Sequence, residues 1–287
     1  MAPDIAADYA VLRAEAGAVW LARDALRVAG PDALAFLDGQ LSQDIKALAV
    51  GGAADSLLLQ PEGKVVALLR ITREAEDAFV LDTDGGFGDL VIERLTRFKL
   101  RTKATIEQLP DWRCLAVRGP RAHDVASGLA ADWPGLPGVD IVGPDVTVPA
   151  GVTVCSAEAY EAARIEAGVP LMGRELTEQT IPAEATGIVE RAVSFTKGCY
   201  TGQELVARID SRGGNVARHL RGVELAGDEM PVPGTPLLDA AGATVGTITS
   251  SAWSPRTNAA VALAYVARKL SPPADVAGGV VKELPLA

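Results

Sequence analysis

The chain changes its periodicity once, at Arg212-Gly213-Gly214, and this break limits its possible folds more than any other feature. Downstream, the segments 216–225, 244–251 and 259–266 are strand-like runs parted by Pro- and Gly-rich turns, the spacing of a small β-barrel or sandwich. One last strand is expected around 280–284. Upstream, strands alternate with single helices. Segment 31–39 opens on Pro31 and closes on Gly39, as a short helix does, and offers Leu34, Phe36 and Leu37 to a core. Segments 55–60 and 64–72 flank Pro61-Glu62-Gly63, which is hairpin chemistry, and 79–82 continues that sheet. Leu90, Val91, Leu95 and Phe98 recur at helical spacing after an Asp84-Gly85-Gly86 turn.

A second α+β block begins near Trp112: a strand at 114–117, a turn at Gly119-Pro120 and a helix over 121–129 are expected. Pro134, Pro137, Pro144 and Pro149 keep the following strands short, and 152–155 closes that sheet. Ser156 reads as the cap of a helix over 157–167, which Gly168-Val169-Pro170 ends.

The 287 residues carry 27 Lys and Arg against 37 Asp and Glu, a net charge of −10, which disfavours direct nucleic-acid binding over the whole surface. The three cysteines, Cys114, Cys155 and Cys199, are too few and too far apart for a disulfide framework or a metal knuckle. His123 and His219 are the only histidines and lack metal-ligand spacing, so no catalytic metal is expected. Asp4 and Asp8 stand where a signal peptide would be basic, and no apolar run approaches the ~18 residues of a membrane span. The expectation is a cytoplasmic protein that does not enter the membrane. Asp82-Thr83-Asp84-Gly85-Gly86-Phe87-Gly88 fits neither a calcium loop nor a nucleotide loop and reads as a helix-entry turn.

Chemistry concentrates in Ser194-Phe195-Thr196-Lys197-Gly198-Cys199-Tyr200-Thr201-Gly202-Gln203-Glu204. Thr201 and Glu204 have capping-box spacing, which would set Cys199 just before a helix N-terminus. There the helix dipole and the Lys197 ammonium would both favour a thiolate. An inert reading fits the same residues: a cap, two turn glycines and a cysteine packed as a small hydrophobe. Cys114 and Cys155 lie in apolar runs and read as core.

Lys197-Gly198-Cys199-Tyr200-Thr201-Gly202-Gln203-Glu204 resembles the signature of the folate-binding YgfZ family, relatives of the glycine-cleavage T-protein, an aminomethyltransferase. Arg164-Ile165-Glu166-Ala167-Gly168-Val169-Pro170, Pro182-Ala183-Glu184 and 36–44 support the resemblance, as do Ser254-Pro255 and 262–266. The resemblance implies an α+β fold of three domains in a ring around a tetrahydrofolate channel: 1–110 with about 168–212 as the folate-binding domain, 111–167 as a second α+β domain, and 213–287 as a C-terminal β-barrel. It further implies folate-dependent support of iron–sulfur protein assembly or repair, including enzymes that modify tRNA, with iron–sulfur proteins or their assembly machinery as partners. Glu166 falls where the T-protein supplies a carboxylate to the pterin, whose adjacent N–H and amino group such a carboxylate can accept together. Arg164, Tyr200, Gln203 and Trp253 are the other implied contacts to tetrahydrofolate or a one-carbon derivative, while Cys199 and Lys197 carry the thiol chemistry.

The hairpin departs from the T-protein. Its Gly-Gly-x-x-Asp-Asp pattern is replaced by Gly63-Lys64-Val65-Val66-Ala67-Leu68, and neither Ala67 nor Leu68 can move a proton. A folate-dependent aminomethyl or other one-carbon transferase is therefore the alternative to an accessory factor that is not itself an enzyme. Two basic clusters, Arg94, Arg97, Lys99, Arg101 and Lys103, and Arg208, Arg212, Arg218 and Arg221, are either solvated faces or sites for a polyanion.

Overall fold

The computed structural model describes residues 4–227 and 229–286, so the outermost ends of the expected domains, 1–3 and 287, lie outside the described residues. Two units form, each discontinuous in sequence. The barrel unit takes the residues up to Leu21, Arg113–Pro170 and those from Ala217 onward; the hairpin unit takes Ala22–Trp112 and Leu171–Val216. The first 21 residues, expected in the folate-binding domain, thus join the barrel unit. Elements are numbered in chain order.

In the hairpin unit, five antiparallel strands are ordered β3-β4-β5-β2-β6. These are β2 (Arg23–Ala29), β3 (Ala53–Leu59), β4 (Val65–Ala75), β5 (Ala78–Asp84) and β6 (Thr105–Gln108). The β3–β4 hairpin pairs Leu57 with Leu68 and Leu58 with Ala67. Gly63, at φ 82°, makes the turn that Pro61-Glu62-Gly63 predicts. Helices α2 (Ala33–Gln40), α3 (Gly88–Lys99), α6 (Ile188–Ala192) and α7 (Gln203–Asp210) complete the unit. Phe36 and Leu37 of α2 and Val91 and Leu95 of α3 enter its core beside Leu57, Ile71 and Phe79. Truncating a fully buried leucine such as Leu37 to alanine would cost about 2–5 kcal/mol. The expected helix-entry turn is held from β2, where Asp24 Oδ2 accepts the N–H groups of Gly86 and Gly88, each at 2.8 Å. The flanking carboxylates are committed to arginines, Asp82 to Arg23 and Arg70 and Asp84 to Arg23.

The barrel unit holds two sheets. One is ordered β10-β1-β7-β9-β8, from β1 (Gly17–Leu21), β7 (Arg113–Arg118), β8 (Leu129–Ala130), β9 (Gly138–Gly143) and β10 (Thr153–Val154). Helices α1 (Ile5–Ala14), α4 (Ala122–Val125) and α5 (Ala157–Ala167) accompany it. The helix expected over 121–129 shrinks to the single turn α4. Beyond it the chain must run back beside β9, and Gly128 lies so close to the Asp140 carbonyl that a Cβ there would meet the oxygen at 2.4 Å. Helix α5 has the expected bounds, stopped by Gly168 in the left-handed conformation, φ 76°. Ser156 precedes it in extended conformation but makes no side-chain cap bond.

The other sheet is ordered β12-β13-β14-β11-β16-β15, comprising β11 (Arg218–Leu225), β12 (Pro236–Leu238), β13 (Thr244–Ser254), β14 (Ala259–Ala267), β15 (Ala274–Val276) and β16 (Gly279–Lys282). It curls until the Ala277 N–H donates to the Leu238 carbonyl at 2.8 Å, linking its two edges. Val223, Ile248, Ala264 and Val281 fill the inside, while Leu220, Val261 and Leu263 pack with α1 and α5. The chain is therefore α+β with a C-terminal curled barrel sheet. Among the described residues no helix is long and apolar enough to cross a membrane.

Candidate functional site

The expected site residues divide between the units: Lys197, Cys199, Tyr200 and Gln203 lie in the hairpin unit, and Arg164, Glu166 and Trp253 in the barrel unit. In the hairpin unit, the segment before α7 is pinned at several points to α2 and the residues after it. Ser194 N–H donates to the Ser42 carbonyl at 2.9 Å and Thr201 N–H to that of Gly39 at 3.1 Å. Between these points Cys199 is exposed, whereas Cys114 and Cys155 are buried.

The capping box of Thr201 and Glu204 does not form. Gly202 is the N-cap, at φ 84°, without a side-chain cap bond. A Cβ on Gly202 would meet the Gln60 carbonyl oxygen at 2.5 Å and Leu59 Cβ at 2.8 Å, so the hairpin turn requires a glycine there. This close approach fixes the helix start one residue later than the box needs. The Gln203 side chain instead accepts the Tyr200 N–H, at 3.2 Å.

Lys197 is held by the backbone beside the end of α2. Its ammonium donates to the carbonyls of Asp38 at 2.6 Å, Leu41 at 2.7 Å and Gln43 at 3.0 Å. It also lies 3.2 Å from Asp38 Oδ1. All three hydrogens are thus committed at the C-terminal end of α2, where the helix dipole welcomes a cation. Burial lowers its pKa, and Asp38 opposes that shift. Lys197 anchors the thiol loop to the end of α2 and the residues that follow it. Asp38, which the sequence reading did not single out, pairs on its other oxygen with Lys46 at 2.6 Å. The Lys197 ammonium also lies 5.3 Å from the centroid of the Tyr200 ring, and burial pushes the Tyr200 phenol up to about 12. Where the T-protein hairpin holds aspartates, Ala67 is fully buried and Leu68 is packed against the core.

In the barrel unit, Glu166 is 1 % exposed near the end of α5. Its Oε2 accepts from the Tyr9 hydroxyl at 2.5 Å and its Oε1 from the Ser254 hydroxyl at 2.5 Å. Arg256 Nε adds an ion pair at 3.5 Å. Burial and the bond to Glu166 raise the Tyr9 pKa far above that of a free phenol, so Tyr9 remains a donor at neutral pH. Tyr9, Ser254 and Arg256 come from α1, the end of β13 and the turn after it, separations that no local pattern would have joined. Arg164 is fully buried, with its guanidinium on both oxygens of Glu161, at 2.7 and 2.9 Å, and on the Val169 carbonyl at 2.5 Å. Trp253 is half-buried on β13, paired with Ala260 on β14. The residues expected around a pterin therefore do not present it with a free carboxylate edge: both Glu166 oxygens already hold donors of this chain, and Arg164 is spent within α5 and its end. Among the described residues no cluster of three or more His, Cys, Asp or Glu could hold a metal ion.

These features define a chain with the fold of the glycine-cleavage T-protein. The crystal structure of the glycine cleavage system aminomethyltransferase T from Bartonella henselae matches with a TM-score of 0.81 at 22% identity, covering 99% of this chain and 89% of that one. The family model for the GCVT N-terminal domain matches residues 3–135, and that for the glycine cleavage T-protein C-terminal barrel domain matches residues 218–281. Among curated relatives, the human mitochondrial iron-sulfur cluster assembly factor IBA57 is 32% identical over 271 residues, 80% of this chain and 74% of that protein. The tRNA-modifying protein YgfZ of Edwardsiella ictaluri is 28% identical over 244 residues, 74% of this chain and 71% of that protein. An aminomethyltransferase of Saccharopolyspora erythraea is 26% identical over 309 residues, 93% and 83% of the two chains. The chain belongs to the YgfZ and IBA57 family, related to the aminomethyltransferases.

Proposed function

We propose that the chain is a tetrahydrofolate-binding accessory factor that supports the assembly or repair of iron–sulfur proteins, tRNA-modifying enzymes among them, with Cys199 as its reactive thiol. The observation that carries the reading is the placement of Cys199, an exposed thiol on a loop tied on both sides to α2 and the residues after it, in a chain similar to an iron-sulfur cluster assembly factor and to tRNA-modifying proteins. Iron–sulfur clusters usually take four thiolates. One cysteine therefore shares a cluster with thiols from a partner, exchanges with a disulfide through a mixed disulfide, or reacts with a one-carbon unit. The expected partition into a folate-binding domain (1–110 with about 168–212), a second domain (111–167) and a barrel domain (213–287) is part of the proposal, except that the residues up to Leu21 pack in the barrel unit; a cytoplasmic location is proposed as well.

Tetrahydrofolate or a one-carbon derivative is the proposed ligand on the strength of the family. If it binds beside Glu166, the Tyr9 and Ser254 hydroxyls must share the carboxylate or yield it. Calorimetric titration of tetrahydrofolate into the full chain should show saturable binding and a ligand-dependent rise in Tm; absence of both would remove the folate from the proposal. Cells lacking the native protein should regain iron–sulfur enzyme activity from the wild-type gene and not from Cys199→Ser. Full rescue by the serine variant would remove the thiol. An aminomethyltransferase assay with lipoyl carrier protein should give no turnover, because apolar Ala67 and Leu68 stand where the transferase needs a carboxylate.

A further inference from the structure

Five arginines are buried among the described residues: Arg70, Arg73, Arg94, Arg118 and Arg164. Four of them hold a carboxylate. Arg70 pairs with Asp82 at 2.9 Å, Arg73 with Glu76 at 2.7 Å, Arg118 with Asp140 at 2.8 Å and Arg164 with Glu161 at 2.7 Å. Arg94 is the exception. Its Nη1 donates to Gln40 Oε1 at 3.2 Å and its Nη2 to the Leu59 carbonyl at 3.0 Å. Its guanidinium carbon lies 3.7 Å from the Phe98 ring centroid. Every one of these partners is neutral.

A buried guanidinium with no counter-anion bears a desolvation penalty that nothing of opposite charge offsets. Here the strain is compounded. Burial, and then the like charge of Arg97, lower the Arg94 pKa. Arg97 is exposed three residues along α3 and makes no ion pair among the described residues. Two guanidiniums therefore interact without an anion in a chain that carries ten more acidic than basic residues. The Arg94 Nε is the one nitrogen of the guanidinium that has no acceptor among the described residues. Arg94 also braces the supports of the thiol loop. Leu59, whose carbonyl it holds, lies against Gly202, and Gln40 follows Gly39, whose carbonyl takes the Thr201 N–H.

We propose that Arg94 and Arg97 form an oxyanion-binding site on α3, taking a carboxylate or phosphate group of a small-molecule ligand. Arg94 supplies a fixed charge and its uncommitted Nε–H, the exposed Arg97 a second charge, and Phe98 backs the guanidinium plane. This site is independent of what Cys199 does and of whether folate binds.

Isothermal titration of the full chain with citrate and with pyrophosphate tests it. The expected result is saturable binding of at least one anion, weakened by added salt. Arg94→Gln should lower the affinity about tenfold or more, and Arg97→Gln should also lower it by severalfold. Binding of citrate alone marks a carboxylate site, and binding of pyrophosphate alone a phosphate site. Since Arg94 also supports the hairpin, Arg97→Gln keeps the test decisive if Arg94→Gln fails to fold. Absence of saturable binding by either anion, or affinity unchanged in Arg97→Gln, would overturn the proposal.

Discussion

The Tyr9 hydroxyl donates to Glu166 Oε2 at 2.5 Å, joining the first helix of the chain to the end of α5 across 157 residues of sequence. With Ser254 on the other oxygen, the carboxylate holds together α1, α5 and the end of β13. Tyr9→Phe should lower stability by about 1–3 kcal/mol, the range for an acceptor left short of its donor. Glu166→Ala should cost more, about 2–4 kcal/mol, because it leaves the buried Tyr9 and Ser254 hydroxyls both without their acceptor. Urea denaturation of both variants measures this; a Glu166→Ala midpoint equal to that of the wild type would show that the cluster contributes nothing to the fold.

Thiol accessibility separates the three cysteines. Cys199 is exposed while Cys114 and Cys155 are buried. The native protein should release one equivalent of chromophore from an aromatic disulfide reagent, and the denatured protein three. Cys199→Ser should abolish the native reaction and, being a surface change, move stability by no more than about 0.5 kcal/mol.

Gly202 joins the thiol loop to the hairpin. Its φ of 84° and the 2.5 Å approach of the Gln60 carbonyl to a built Cβ leave no room for a side chain. Gly202→Ala should therefore cost about 3 kcal/mol, combining strain at positive φ with overpacking. Circular dichroism melts will read the loss, and limited proteolysis should show earlier cleavage between Ser194 and Gly202 than in the wild type.

Cys155 gives stability an alkaline limit. Burial, reinforced by Asp8, raises its pKa from 9.0 to about 11. Between those values the folded chain retains a proton that the unfolded chain has lost, so the stabilising contribution is complete below about pH 9 and is lost as pH rises towards 11. The shift corresponds to about 2–3 kcal/mol. Tm measured from pH 8 to 11 should fall less steeply in Cys155→Ala than in the wild type; identical slopes would exclude this origin.

Local patterns in the sequence located most of the elements. Helix α2 between Pro31 and Gln40, the β3–β4 hairpin around Gly63, the stripe of Val91, Leu95 and Phe98 in α3, and helix α5 up to Gly168 all follow from periodicity and turn chemistry acting within one element. Four of the six barrel strands were legible for the same reason, the short edge strands β12 and β15 being the exceptions. Elements whose form depends on a distant surface were not. The helix expected over 121–129 yields to the pairing of β8 with β9, and the Thr201–Glu204 box yields to the contact of Gly202 with Gln60.

The site follows the same division. The chemistry of Cys199, the glycines beside it and the apolar replacement at Ala67 and Leu68 were determined by the residues themselves, since a side chain's functional group is fixed by its identity. Which partners each charge would take was decided only by tertiary structure. Lys197 turned to carbonyls at and just beyond the end of α2, Glu166 to Tyr9 and Ser254, and Arg94 to neutral oxygens. The reason is physical: hydrogen bonds and ion pairs act over a few ångströms, and folding alone brings residues tens to more than a hundred positions apart within that reach.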